Sequence, residues 1–166
     1  MSNTAHHLDL AVIGNGAIAA LIDRDATQQW CCWPRLDGDP VFHALLSTDT
    51  TQGRFAVRLD RQTHTTQRYV PNTAILETIL HDDAGNALRV LDFCPRFRNL
   101  GRMFRPPMLI RRLEPVSGRP RVTMTITPGF AYGELHPKPI LGSNHLRFGQ
   151  RRGESGNNAA CIIIGT

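Results

Sequence analysis

Lysine is almost missing from this chain. Of its 19 basic residues only Lys138 is a lysine, so the net charge of +5 at neutral pH is carried by arginine. Aromatic side chains are sparse too, at 7%. Six arginines fall between Arg96 and Arg112, a density that could hold phosphates, but few aromatics interleave them and no nucleic-acid motif accompanies them. No nucleic-acid partner is therefore expected, and the basic stretch is read as a surface facing solvent or another domain. No apolar run approaches the roughly 20 residues that cross a bilayer, so no membrane partner is expected. The opening MSNTAHHLDL lacks the basic region and apolar core of a signal peptide. Cys31, Cys32, Cys94 and Cys161 show no C-x-x-C spacing, which argues against zinc. Strand neighbours point to opposite faces, so Cys31 and Cys32 should not pair with each other. Reduced, buried thiols in a cytoplasmic protein are the expectation. His6 and His7 precede the first strand and read as tail residues, not ligands. Neither a metal nor an organic cofactor is expected. Fixed-period repeats and low-complexity segments are missing as well.

Short apolar runs divided by turns are what the chain does have. Its 166 residues, 41% of them hydrophobic, suffice for one domain, 1–166, with a real core. Fourteen glycines and eleven prolines suit short strands better than helices. The stretch from Asp9 to Leu46 organises the rest. Leu8 to Ile13 and Ala17 to Ile22 flank Gly14-Asn15-Gly16, residues that accept positive φ, so a hairpin is predicted. Gly14, Gly16 and Ala19 also fit the dinucleotide fingerprint G-x-G-x-x-A. That motif needs a crossover helix of about a dozen residues or more, and the apolar run ends too soon, at Ile22. A turn at Asp23-Arg24-Asp25-Ala26 leads to a third strand through Trp30, Cys31, Cys32 and Trp33, stopped by Pro34. A loop, Arg35 to Asp39, precedes a short helix predicted near residues 40–46, with Pro40 in its first turn.

Downstream, Phe55, Val57 and Leu59 alternate on one face of a half-buried strand, and Gln62 to Val70 reads as a polar edge strand. Ala74 to His81 and Ala87 to Phe93 form a hairpin around Asp82-Asp83-Ala84-Gly85-Asn86. Leu88, Val90 and Phe93 break strict alternation, which suggests a bulge near Leu91. Cys94 to Pro107 reads as a long loop, and its Phe97, Met103 and Phe104 among arginines suit docking against a neighbouring domain. A further hairpin is expected from Met108–Pro115 and Arg121–Thr127. An irregular segment and two last strands, His145–Phe148 and Ala159–Ile164, complete an all-β antiparallel sandwich of about ten strands. Two carboxylate pairings are worth weighing. Glu77 and Asp92 in facing strands could act as acid and base, or could be held by arginines at the sheet margin. Glu134 and His136 read as loop polar residues.

The residues also resemble a known family. Ile13-Gly14-Asn15-Gly16, Ala19-Ala20-Leu21-Ile22-Asp23-Arg24, Trp30-Cys31-Cys32-Trp33-Pro34-Arg35 and Asp37-Gly38-Asp39-Pro40-Val41-Phe42 match the start of the trehalase-like amino-terminal domain of family 15 glycoside hydrolases. That is the glucoamylase, glucodextranase and trehalase group. Leu36 stands where phenylalanine is usual. A second signature is matched by Tyr69, Pro71, Asn72, Thr73, Leu76, Glu77, Thr78, Asp82, Gly85, Val90, Asp92, Phe93 and Pro95. The resemblance implies a large β-sandwich that precedes a helical-barrel catalytic domain. It implies that the parent enzyme hydrolyses α-glucosidic bonds of starch, dextran or trehalose with inversion, using glutamates of that barrel beyond residue 166.

On this reading the 166 residues are an amino-terminal fragment with no catalytic residue of its own. Its partners are the carboxy-terminal barrel and, through it, an α-glucan or trehalose. Trp33, Arg35 and Asp37 are the candidates for a substrate-rim or domain-interface loop, because an indole stacks on sugars while the guanidinium and carboxylate offer planar hydrogen-bonding groups. The competing reading places Trp30 and Trp33 in the core and pairs Arg35 with Asp37 or Asp39. A stand-alone carbohydrate-binding module is the alternative function. An uncovered apolar face would let the fragment self-associate.

Overall fold

The computed structural model describes residues 9–47 and 51–149 in full and the backbone of 161–162. Among these the chain is all-β and antiparallel, with two 3₁₀ turns, at Ala44–Leu46 and Ala131–Gly133, and no α-helix. The first hairpin joins β1 (Ala11–Gly14) to β2 (Ala19–Ile22), with Gly14 opposite Ala19 and Ala11 opposite Ile22. Period-two alternation puts Ile13, Ala20 and Ile22 inside and leaves Val12 53% exposed. Gly16, at φ +87, takes the left-handed conformation the turn requires. This antiparallel return disposes of the parallel crossover that a dinucleotide site needs. Asp23 then closes the next turn: its Oδ1 accepts the N–H groups of Asp25 and Thr27 at 2.9 and 2.8 Å.

β3 (Gln28–Cys32) follows, and β4 (Pro40–His43) pairs back onto it. The helix expected near residues 40–46 is therefore a strand followed by the single 3₁₀ turn at Ala44–Leu46. All four β4 residues are buried, and burying Val41 and Phe42 in the core outweighs the preference of proline for a helix start. Pro40 occupies the first strand position, where a missing N–H is tolerated. β5 (Arg54–Leu59) meets β3 at Gln28–Phe55 and pairs fully with β12 (Val122–Thr127). The first sheet thus runs β1-β2-β3-β5-β12, with β4 beside β3.

The second sheet holds β6 (Gln62–Tyr69), β7 (Leu76–Asp82), β8 (Ala87–Phe93) and β11 (Ile110–Ser117), ordered β11-β8-β7-β6. β6 is the polar edge that its sequence suggests. The β7–β8 hairpin is closed by Asp82, whose Oδ1 accepts the N–H groups of Ala84 and Asn86. Three expectations fail here. β8 has no bulge at Leu91, because the inward face is Leu88, Val90 and Asp92: a buried carboxylate holds the place where an apolar residue was sought. The irregularity instead falls on β11, between Pro115 and Ser117. β11 and β12 do not form a hairpin either, since the chain crosses between sheets at residues 118–121 and β12 adds to the free side of β5. Finally, the long loop from Cys94 contains a two-stranded ribbon, β9 (Phe97–Asn99) and β10 (Arg102–Phe104). Leu100 and Gly101, at φ 48 and 77, make the doubly left-handed two-residue turn that right-twisted strands favour.

The two large sheets share a divided core. Val57 and Leu59 of β5 meet Leu80, Leu88 and Val90 of β7 and β8. Ile13, Ile22, Cys31 and Phe42 of the first sheet gather with Leu76 and Cys94. Phe55 packs against both clusters. A small third sheet pairs β13 (Ile140–Leu141), β14 (Leu146–Arg147) and β15 (Cys161–Ile162). The antiparallel last pair agrees with expectation. The polar turn Arg151 to Asn158 between them lies outside the described residues, as do His6 and His7.

Candidate functional site

The loop between β3 and β4 carries the three residues singled out for a rim or interface. It is pinched by Trp33 N–H donating to the Asp39 carbonyl at 3.2 Å and by Gly38 N–H donating to Arg35 at 3.1 Å. Trp33 is half-buried and packs against the first core cluster. Arg35 and Asp37 form a two-pronged pair, Nε to Oδ1 at 2.9 Å and a terminal nitrogen to Oδ2 at 2.8 Å. Both side chains are at least 70% exposed. The Arg35 hydrogen bond holds the Asp37 carboxyl below its ordinary range, with help from the Asp37 backbone N–H and the arginine charge. The loop thus presents a preformed, charge-balanced pair beside an indole anchored in the core. Trp30 sits on the opposite face of β3 from Cys31 and is half-buried.

Glu77 and Asp92 cannot work together. Asp92 lies opposite Leu76 across the β7–β8 ladder and shares its inward face, whereas Glu77, the next residue, points outward. Each is already committed to arginine. Asp92, fully buried, takes Arg111 Nε at 2.7 Å and a terminal nitrogen at 3.1 Å. Arg111 also donates to the Phe55 carbonyl at 2.9 Å and lies 4.6 Å above the Phe55 ring. On the outer face, Arg68 reaches Glu77 at 2.8 Å, and Arg89 lies between Glu77 at 3.1 Å and Glu114 at 3.3 Å. Arg112 completes this ladder on Glu114. The Arg89 Nε contact with Glu77 is electrostatic only, lacking hydrogen-bond alignment. Glu134 and His136 are exposed on the segment after β12.

Two features escaped sequence reasoning. Asn15, 3% exposed, spends its whole carboxamide. Its oxygen accepts from Ala17 and Ile18 N–H at 2.9 and 3.3 Å, while its nitrogen donates to the Pro95 and Pro106 carbonyls at 2.9 and 2.8 Å. One side chain in the β1–β2 turn therefore grips both feet of the β9–β10 ribbon. No local signal could have shown this, because the partners are carbonyls 80 and 91 residues away. His43, 4% exposed, sits among Gly53, Gly129 and Gly133, each so close that a Cβ would come within 2.9 Å of its ring. Burial, and secondarily the charge of His136, lower its pKa. Its Nδ1 has no hydrogen-bond partner.

Cys31, Cys32 and Cys94 are free thiols, and burial pushes Cys31 and Cys94 up to about 12, which keeps both protonated and unreactive at neutral pH. Among the described residues no three His, Cys, Asp or Glu side chains converge as metal ligands. No described helix is long and apolar enough to cross a membrane.

A family model described as "Trehalase-like, N-terminal" matches residues 2–148. No curated protein and no solved structure matches the chain.

Proposed function

The chain belongs to the trehalase-like N-terminal family, and from that premise we propose that it is the amino-terminal β-sandwich of a family 15 glycoside hydrolase, packing against a helical-barrel catalytic domain. The family match over residues 2–148 is the observation that carries this reading. The geometry is in keeping with it. Glu77 and Asp92, on neighbouring strands, are split between two faces of a sheet and bound by arginines, so this pair offers neither a free general acid nor a base that could activate water. In this reading the bond cleaved is an α-glucosidic one, in a glucan or in trehalose, and the acid and base come from the barrel. The loop carrying Trp33, Arg35 and Asp37 faces that barrel as a stiff contact whose paired charges need no rearrangement on docking.

The test is sugar release from maltose, starch, dextran and trehalose. The complete polypeptide that carries this chain should liberate glucose from at least one, and residues 1–166 alone from none. Turnover by residues 1–166, or none by the complete polypeptide, would overturn the proposal. Alanine at Arg35 in the complete enzyme separates the two uses of the loop: a raised KM marks a substrate rim, and unchanged kinetics with a lower melting temperature mark a structural pair.

A further inference from the structure

The β9–β10 ribbon is unlike the rest of the fold. Every residue from Arg96 to Arg105 is exposed, although Phe97, Leu100, Met103 and Phe104 are among them. Leu100 at its tip is 96% exposed. A lone two-stranded hairpin is marginal in water, and this one is braced in two ways. Phe97 and Phe104 are cross-strand partners stacked edge to face, with centroids 5.3 Å apart. At the base, Asn15 grips the Pro95 and Pro106 carbonyls, and Arg105 lies against Gly16 of the same turn. The ribbon is therefore a preorganised arm, held at a set angle to the sandwich with its apolar side chains in solvent.

Its charge indicates what covers it. Arg96, Arg98, Arg102 and Arg105 lie in a segment, 94–107, with no acidic residue, so four of the chain's net five positive charges sit on this arm. The arginines elsewhere in the second sheet are paired with carboxylates, but these four make no ion pair with any described residue. A second copy of the chain would bring the same charge and be repelled. Exposed aromatics ringed by arginine are the composition of an interface core awaiting a partner.

We propose that the Phe97–Phe104 arm docks into an acidic, apolar-floored recess on the adjoining helical domain. This rests on the reading of the chain as an amino-terminal domain and adds the element and the chemistry of contact. Phe97 and Phe104 fill the recess, while Arg98 on one face and Arg102 on the other meet carboxylates at its rim.

Hydrogen exchange read by mass spectrometry tests it, comparing residues 1–166 with the complete polypeptide. Amides of residues 97–104 should exchange at least tenfold more slowly in the complete polypeptide. R98E/R102E should remove that slowing while leaving the melting temperature of residues 1–166 unchanged, since both side chains are exposed and make no ion pair with any described residue; F97A/F104A should remove it too, but with the loss of the cross-strand ring contact that braces the ribbon. Equal exchange of 97–104 in both proteins, with slowing on another face, overturns the arm and leaves the domain reading intact. No slowing anywhere overturns both. Binding of a single-stranded RNA 20-mer by residues 1–166 that R98E/R102E abolishes, with 97–104 unprotected in the complete polypeptide, also overturns the proposal and reassigns the arm to nucleic acid.

Discussion

Asp92→Ala should be among the most costly single substitutions in this domain. Asp92 is fully buried and the side chain of Arg111 is only 3% exposed. Removing the carboxylate takes away two charge-assisted hydrogen bonds and leaves a guanidinium among Phe55 and the core with only the Phe55 carbonyl as partner. Breaking one side of a buried pair costs about 3–5 kcal/mol, because the survivor cannot regain its hydration. At about 2–4 °C per kcal/mol for a domain of this size, the melting temperature should fall by roughly 6–20 °C. Arg111→Met should cost a similar amount by stranding the carboxylate instead. The discriminating variant is Asp92→Leu with Arg111→Met, which replaces both charges by apolar volume and should be more stable than either single change. Urea unfolding followed by Trp30 and Trp33 fluorescence measures all of these. The exposed pair Arg58–Asp25 is the control, where alanine should cost less than about 1 kcal/mol. The reasoning is refuted if Asp92→Ala costs no more than that control, or if the double variant is as unstable as the sum of its singles.

Asn15→Ala should lose about 2–3 kcal/mol, since one buried and one part-buried N–H group and two carbonyls lose their partner, and should speed amide exchange across residues 97–104. Gly118→Ala should destabilise by about 2 kcal/mol, combining a left-handed φ of 66 with a Cβ that would collide with Asn86 Oδ1; the urea midpoint reports it. His43 is held neutral by burial, so its folded pKa lies below the unfolded value of about 6.5. The unfolded chain then binds the extra proton first, and stability should be full above about pH 6.5 and fall as pH drops toward the folded pKa. His43→Gln should flatten that slope between pH 7 and 5 in urea titrations.

What could be read from the sequence was local. The β1–β2 and β7–β8 hairpins announced themselves because period-two apolar runs flank turn residues whose own side chains close the loop, as Asp82 does. β6 could be read as an edge because polar residues hold both faces. What could not be read depended on distant partners. Asp92 looked like a break in a pattern, since the arginine that makes it a core residue lies 19 positions on, in β11. The residue 118–121 turn looks like a hairpin turn, but β12 joins the other sheet through Met124–Val57 and its neighbouring pairs, a decision made by the side of β5 that was left open. Pro40 favoured a helix start only until Val41 and Phe42 had a core to enter. At the candidate loop the Arg35–Asp37 pair was legible because its members are two residues apart, whereas the Asn15 grip on residues 95 and 106 was not.

The near absence of lysine takes on physical meaning in this light. The buried site demands a planar cation: Arg111 meets both oxygens of Asp92, donates to the Phe55 carbonyl and stacks on the Phe55 ring at once, which a single ammonium cannot do. On the outer face Arg89 spans two glutamates on different strands, hydrogen-bonded to Glu114 and held to Glu77 by charge alone. Arginine therefore serves two purposes here. In the second sheet it is matched to carboxylates and stabilises strands. On the β9–β10 arm it is left unmatched beside exposed phenylalanines, where Arg96, Arg98, Arg102 and Arg105 make no ion pair with any described residue. The docking proposed for the arm would give those four charges the carboxylates that the second sheet gives its own.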